Sequence, residues 1–227
     1  MGKPSEYTIR RATGPLTIDG KLDEGDWLAC QSVGPFQFPW YEKGEKEQTI
    51  AKLLWDHENL YLSWHCYDQH ISARETQKNG RVWEDDCIEV FISPNPEKLF
   101  NYYTFEINCV GTMLNMCCCD WYPQERRFWE PDGVVIGHSI PGPTKEESPN
   151  DAEWVIEVAI PLRNFLCDAP HTPPEEGDRW RLNLQRCGGI TNAQLSLWSF
   201  VEEPPSYPWF HWPPNFGTIA FSQEPVR

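Results

Sequence analysis

The residues able to do chemistry in this sequence sit on short alternating runs. In "RVWEDDCIEVFI" (81–92), Ile88, Val90 and Ile92 share one side of an extended segment, and Cys87, Glu89 and Phe91 share the other. Trp83 and three consecutive acids, Glu84, Asp85 and Asp86, lead into that strand, at a junction where acids are costly to bury. The same alternation sets Thr104, Glu106 and Asn108 opposite Tyr103, Phe105 and Ile107. It sets Glu157 opposite Ile156 and Val158, and Asn183 and Gln185 opposite Leu182 and Leu184. The collected polar face, Glu89, Thr104, Glu106, Asn108, Glu157, Asn183 and Gln185, holds carboxylates and amides but no Lys. Amides both donate and accept, and carboxylates accept strongly. Sugar hydroxyls, each one donor and two acceptors, require that mixture. Flat indole rings suit the apolar C–H faces of a pyranose. Trp83 supplies one such ring, and Trp209, Phe210 and Trp212 supply others in a loop stiffened by Pro204, Pro205, Pro208, Pro213 and Pro214. A stiff loop lowers the entropy cost of binding.

These residues need strands to position them. Alternating runs recur at 60–67, 102–108, 153–160 and 181–185, with shorter ones at 7–12, 50–55, 112–117, 195–198 and 217–221. Pro/Gly-rich loops punctuate them at 93–98, 141–150, 168–178 and 202–215. Only "LDEGDWLAC" (22–30) and "PLRNFLC" (161–167) could hold a helical turn. Many short, turn-bounded strands predict an all-β fold, a single antiparallel β-sandwich of jelly-roll type with long Pro-rich loops. The pattern runs without a linker, which predicts one domain over residues 1–227 with its core at about 7–221.

The 227 residues carry a net charge of −15, which argues against nucleic acid or an anionic membrane as partner. The expected partner is a mono- or oligosaccharide bound by a monomer. Nine Cys, three of them consecutive at 117–119, show no CxxC or Cys/His ligand spacing and predict reduced, mostly buried thiols. The N-terminal "MGKPSEYTIRRATG" has no apolar signal region. The chain as it stands is therefore expected to be cytoplasmic, or extracellular if a leader was removed.

Six segments fall in order along the chain: "LTIDGKLDEGDW" (16–27), "AKLLWDHENLYLSWHCYD" (51–68), "WEDDCIEVFIS" (83–93), "WVIEVAIPL" (154–162), "LNLQR" (182–186) and "FHWPPNFGTIAF" (210–221). Together they resemble the family 9 carbohydrate-binding modules. The resemblance implies a β-sandwich that binds sugar without cleaving it. Its xylanase-linked members grip reducing ends of cellulose and xylan between two Trp rings. Their motif W-x-x-D-x-x-E corresponds to Trp83, Asp86 and Glu89, which gives Trp83 a clamp role and Glu89 a hydrogen bond to sugar. The Gln of N-x-Q is Gln185, also a sugar contact. Asp86 is expected to orient the loop, and Glu84 and Asp85 to be solvated.

Two positions depart from the family pattern. Six residues before Phe216 stands Phe210 rather than Trp, flanked by Trp209 and Trp212, and "FEIN" places Glu106 where those modules carry an Arg. The resemblance also implies that structural calcium is possible, with Asp68, Asp85 and Asp86 as candidates; no other cofactor is required. Three alternatives remain. One is a domain that keeps the fold as a structural or interaction unit. Another is a glycoside hydrolase using Glu89, Glu106 and Glu157. The third is a haem-binding domain of the DOMON type using Met113, Met116, His65 and His138.

Overall fold

The computed structural model describes residues 2–118, 126–144, 147–205 and 209–227. Its strands are β1 (Glu6–Arg11), β2 (Thr49–Trp55), β3 (Asn59–Tyr67), β4 (Cys87–Ser93), β5 (Tyr102–Asn108), β6 (Met113–Cys118), β7 (Arg126–Phe128), β8 (Val135–His138), β9 (Glu153–Pro161), β10 (Arg179–Cys187), β11 (Leu195–Leu197) and β12 (Gly217–Pro225). They pair in the order β7-β6-β5-β4-β10-β12-β1-β2-β3-β9-β8, with β11 on β10. The sheet folds back on itself at β1. Residues Glu6–Ile9 pair with Thr218–Phe221, and after a shift in register Arg10 and Arg11 pair with Leu54 and Trp55. Such an irregularity bends a strand, so β1 serves both leaves of the sandwich. Both pairings of β1 are parallel, in a sandwich whose other strand pairs are the antiparallel ones expected from the sequence. No hairpin joins β1 to either neighbour, so no turn dictates its direction.

The alternating aliphatic residues meet between the leaves. Leu60, Leu62, Trp64 and Cys66 of β3 and Trp154, Ile156, Val158 and Ile160 of β9 face Ile88, Val90 and Ile92 of β4 and Leu182 and Leu184 of β10 in one buried cluster. Each large side chain buried there stabilises the fold by about 1.5–3 kcal/mol. The two helical turns form where the sequence allowed them, as α1 (Gly25–Ala29) and a 3-10 turn at Leu162–Phe165.

Helix α1 covers the outer face of the second leaf, where Trp27 packs with Leu54, Tyr61 and Ala159. Its indole donates to Glu157 Oε1 at 2.7 Å, and Glu157 Oε2 accepts from the amides of Asp19 at 3.1 Å and Gly20 at 2.7 Å. Glu157 is therefore a structural anchor on the other leaf, not a member of the polar face to which its alternation assigned it. Burial raises its carboxyl pKa, against the pull of those three donors. The eight described cysteines are all free, and six of them are buried. Cys119 lies outside the described residues. No helix among the described residues is long and apolar enough to cross a membrane.

Candidate functional site

The outward face of the first leaf carries the candidate site. Strand register sets Gln185 of β10 opposite Glu89 of β4, and Glu89 opposite Glu106 of β5. Opposed residues on antiparallel strands point the same way with Cβ atoms about 4.5–5.5 Å apart. The three therefore form one polar row, closed at its ends by Leu197 of β11 and Leu114 of β6. Glu89 is 4% exposed, Glu106 3% and Gln185 0%. Apolar side chains border the row above and below: Cys87, Phe91, Tyr102, Cys187, Phe210 and Phe216 belong to a second buried cluster on this face. Side-chain period two makes one strand serve both clusters, with Ile88, Val90 and Ile92 going inward and Cys87, Glu89 and Phe91 outward. The Gln185 carboxamide, oriented to satisfy its surroundings, donates to the backbone carbonyls of Glu89 at 2.9 Å and Asn183 at 3.0 Å. Cys187 Sγ donates to Glu89 Oε1 at 3.5 Å. Burial, then the charge of Glu89, pushes the Cys187 thiol well up, which keeps it a donor at neutral pH.

Two predicted contact residues are loop anchors instead. Asn108 Nδ2 donates to Glu75 O at 2.9 Å and to Asp85 Oδ2 at 2.8 Å, while its Oδ1 accepts from Thr112 N at 2.9 Å. Asn183 Nδ2 donates to Ser199 O at 2.9 Å and Oδ1 accepts from Ser199 N at 3.0 Å. Both are wholly buried, and a sugar would have to displace these bonds. Alternation identified their face but could not foresee the loops folding onto their amides.

Trp83 lies in the 3-10 turn Val82–Glu84 and is 44% exposed, an apolar ring presented to solvent. Two acids behind it fix the turn. Asp86 Oδ2 accepts from Ser72 N at 2.7 Å and Oδ1 from Gly189 N at 2.7 Å, tying the β3–β4 and β10–β11 loops together. A Cβ at Gly189 would come within 2.6 Å of Asp86 Oδ2, so this close approach requires glycine. Asp85, expected in solvent, is 3% exposed and accepts from the amides of Arg74 at 2.9 Å and Glu75 at 3.0 Å. Orphan amides of the loop recruit it, whereas Glu84 stays exposed, paired with Arg81. Asp68 accepts from His70 N, Trp154 Nε1 and Arg186 Nη2. With Asp68, Asp85 and Asp86 so engaged, these three acids do not fit a calcium ion. Among the described residues no group of three His, Cys, Asp or Glu is placed to hold a metal.

Burial, reinforced by the neighbouring Asp68, pushes Asp86 up to about 8. The folded protein thus holds a proton that the unfolded chain releases near pH 4. This contribution to stability is complete below pH 4 and is lost as pH rises toward 8. Urea unfolding of wild type against Asp86→Asn should therefore show a stability advantage of wild type that shrinks with rising pH, at up to about 1.4 kcal/mol per pH unit. Parallel pH profiles for the two proteins would refute the raised Asp86 pKa.

Phe200, Phe210 and Phe216 pack on this face. Asn215 ties their two segments together: its Oδ1 accepts from Val201 N at 2.9 Å and Glu202 N at 3.0 Å, and its Nδ2 donates to Glu202 O at 3.0 Å. Phe210 is 6% exposed and belongs to the second cluster. Trp209 and Trp212 remain partly exposed, and Trp212 Nε1 donates to Glu202 Oε1 at 3.3 Å. Two neighbours escaped the sequence reading. His211 stacks on Phe91 at 4.5 Å, and Trp40 packs against Phe210 at 5.9 Å. Nothing in the sequence marks Trp40, which reaches this loop from 170 positions away along the chain.

The proposed haem ligands do not converge. His65 is opposite Val155 and His138 opposite Ile156, consecutive residues of β9 that face opposite sides of the leaf. His65 pairs with Glu153 at 2.8 Å, and His138 Nδ1 bonds Ile140 O at 2.7 Å. Met113 packs on the inner cluster and Met116 on the outer one.

Known structures share this fold. A candidate carbohydrate-binding protein from Bacteroides uniformis ATCC 8492 superposes with a TM-score of 0.81 at 23% identity, over 96% of this chain and 99% of that one. A family 9 carbohydrate-binding module from Caldicellulosiruptor kristjanssonii, in complex with cellotriose, superposes with a TM-score of 0.65 at 15% identity, over 96% of this chain and 94% of that one. The same organism's family 9 module in complex with glucose gives 0.61 at 15% identity, over 97% and 98%. No curated protein matches the chain. The family described as carbohydrate-binding family 9 matches residues 22–221, which is nearly the whole of the outward face and both leaves behind it, and the chain belongs to that family.

Proposed function

We propose that this chain is a non-catalytic saccharide-binding domain. It holds a mono- or oligosaccharide of the glucan or xylan type over the Gln185–Glu89–Glu106 row, with Trp83 as one stacking ring. The observation that carries this reading is the 44% exposed Trp83 indole, in the turn that leads into the strand where Glu89 lies in register with Glu106. Rigid strands hold hydrogen-bonding groups more accurately than loops do. The complexes of related modules with cellotriose and glucose support a sugar of this class.

Calorimetry with glucose, cellobiose, xylobiose, galactose and the corresponding alditols tests the reading. Binding of a glucan or xylan sugar with weaker binding of its alditol is expected where the stacked ring is the reducing-end one, because reduction opens only that ring. No heat with any sugar would instead assign the fold to a structural or interaction role. Incubation with xylan or glucan should release no reducing sugar. Release abolished by Glu89→Gln would convert the reading to a hydrolase with paired carboxylates.

A further inference from the structure

We infer that Cys87 and Cys187 are a redox-responsive pair: a low-molecular-weight disulfide such as oxidised glutathione closes them into a disulfide across β4 and β10, and closure weakens the saccharide site beside them. Disulfide formation stands by itself; its effect on binding rests on the proposal that this face holds a saccharide. Cys87 opens β4 and Cys187 ends β10, and the ladder register sets the two directly opposite each other. Both side chains belong to the outward cluster, and both thiols are free. Directly opposed residues on antiparallel strands have Cα atoms about 4.5 or 5.5 Å apart. Both separations fall within the range of about 4.4–6.8 Å that a disulfide spans. Among the described residues no other two cysteines stand opposite each other in a ladder. The hydrogen bond from Gly189 N to Asp86 Oδ1, just beyond the pair, holds the two strand ends together.

Cys187 is the sulfur that an oxidant meets first, because it is 5% exposed and Cys87 is 0% exposed. Its thiolate attacks one sulfur of the small disulfide and releases one thiol. Cys87, as a thiolate, then attacks Cys187 Sγ and releases the second. Two electrons pass from the protein sulfurs to the small disulfide, and the two protons leave on the released thiols. Burial, then the charge of Glu89, holds both thiols protonated at neutral pH, so closure is slow and follows sustained rather than brief oxidation. The link to the sugar row is Glu89, two residues from Cys87 on the same face of β4. In the reduced protein Cys187 Sγ donates to Glu89 Oε1 at 3.5 Å. A disulfide sulfur carries no proton, so closure removes a donor that orients this carboxylate. It also draws the strand ends together, since the bond needs Cβ atoms about 3.5–4.5 Å apart where opposed strands hold them at about 4.5–5.5 Å.

Overnight incubation of the full chain with oxidised glutathione at mildly alkaline pH, followed by mass spectrometry of the denatured and alkylated digest, tests the bond. The expected product is a peptide pair joined through Cys87 and Cys187, two hydrogens lighter than the free peptides and lost on treatment with dithiothreitol. No joined peptide, or joining only through other cysteines, would overturn the inference. Cellotriose calorimetry on the reduced and oxidised protein tests the effect on the site. Affinity should fall about threefold or more on oxidation, the loss of one hydrogen bond, and return on reduction. Cys87→Ala, which keeps the Cys187 donor, should bind as reduced wild type. A Cys87→Ala protein that binds as weakly as oxidised wild type would assign the loss to packing and overturn the link to Glu89. Mapping in wild type needs no variant, so it decides the bond even where Cys87→Ala does not fold. Equal affinity in the two redox states, with the disulfide mapped, removes the link to Glu89 and leaves the pair. If reduced wild type binds no sugar, the functional reading fails and the effect on binding with it, whereas a mapped disulfide still stands.

Discussion

Replacing Trp83 with Ala is expected to reduce cellotriose affinity by about thirtyfold or more, the loss of an anchor residue worth about 2 kcal/mol. The unfolding midpoint should hardly move, because a substitution at an exposed ring away from the core changes stability by about 0.5 kcal/mol or less. The ring is 44% exposed, and the turn beneath it is held by Asp85 and Asp86 rather than by the indole. Glu89→Gln separates stacking from hydrogen bonding. It keeps the shape and removes the charge from a group 4% exposed in the polar row. Charge-assisted hydrogen bonds are about twice as strong as neutral ones, so this variant should bind more weakly with its Trp fluorescence response intact. Wild-type affinity in both Trp83→Ala and Glu89→Gln would move the binding site off this face.

The second large effect is on stability. Arg186 is next to Gln185 but points inward, with its side chain 3% exposed. Its guanidinium donates to Asp68 Oδ2 at 2.9 Å and Tyr67 O at 2.9 Å, lies 3.4 Å from Glu47 Oε2, and sits over the Trp154 ring at 5.6 Å. It thereby joins β10 to the end of β3 and to the segment before β2, across the two leaves. Arg186→Met leaves the 1% exposed Asp68 carboxylate without its cation, and Asp86 already crowds that carboxylate. Breaking one partner out of a buried ion pair costs about 3–5 kcal/mol, a large part of the 5–15 kcal/mol typical of a whole domain. Urea titration at pH 7 should show that loss. Asp68→Asn in the Arg186→Met background should recover part of it, because the stranded charge is gone. A loss below about 1 kcal/mol in Arg186→Met would mean that solvent already screens this group.

The inner core was legible in the sequence because strand periodicity is a local property. Leu60, Leu62 and Trp64 alternate with Tyr61, Ser63 and His65 whatever the rest of the chain does, and membership of the inner cluster followed that alternation. The polar row was legible for the same reason: Glu89, Glu106 and Gln185 each lie opposite an aliphatic neighbour, and the register then aligned them. Periodicity gives only the parity of a residue, not its leaf or its covering loop. Glu157 has the right parity but lies on the second leaf under Trp27. Asn108 and Asn183 have the right parity and the right leaf, but loops brought back by turns far along the chain occupy their amides.

The sequence by itself determined the strand content, the inward faces, the family resemblance and the carboxylate–amide character of one face, because all of these depend on residue type and local spacing. The tertiary structure alone decided the parallel crease at β1, the burial of Asp85 and the turning inward of Phe210. It also decided the contact of Phe91 with His211, which are 120 positions apart in the chain. Those outcomes depend on which distant backbone amides and rings happen to meet, and no short-range pattern encodes contacts that form only when the sheet closes on itself.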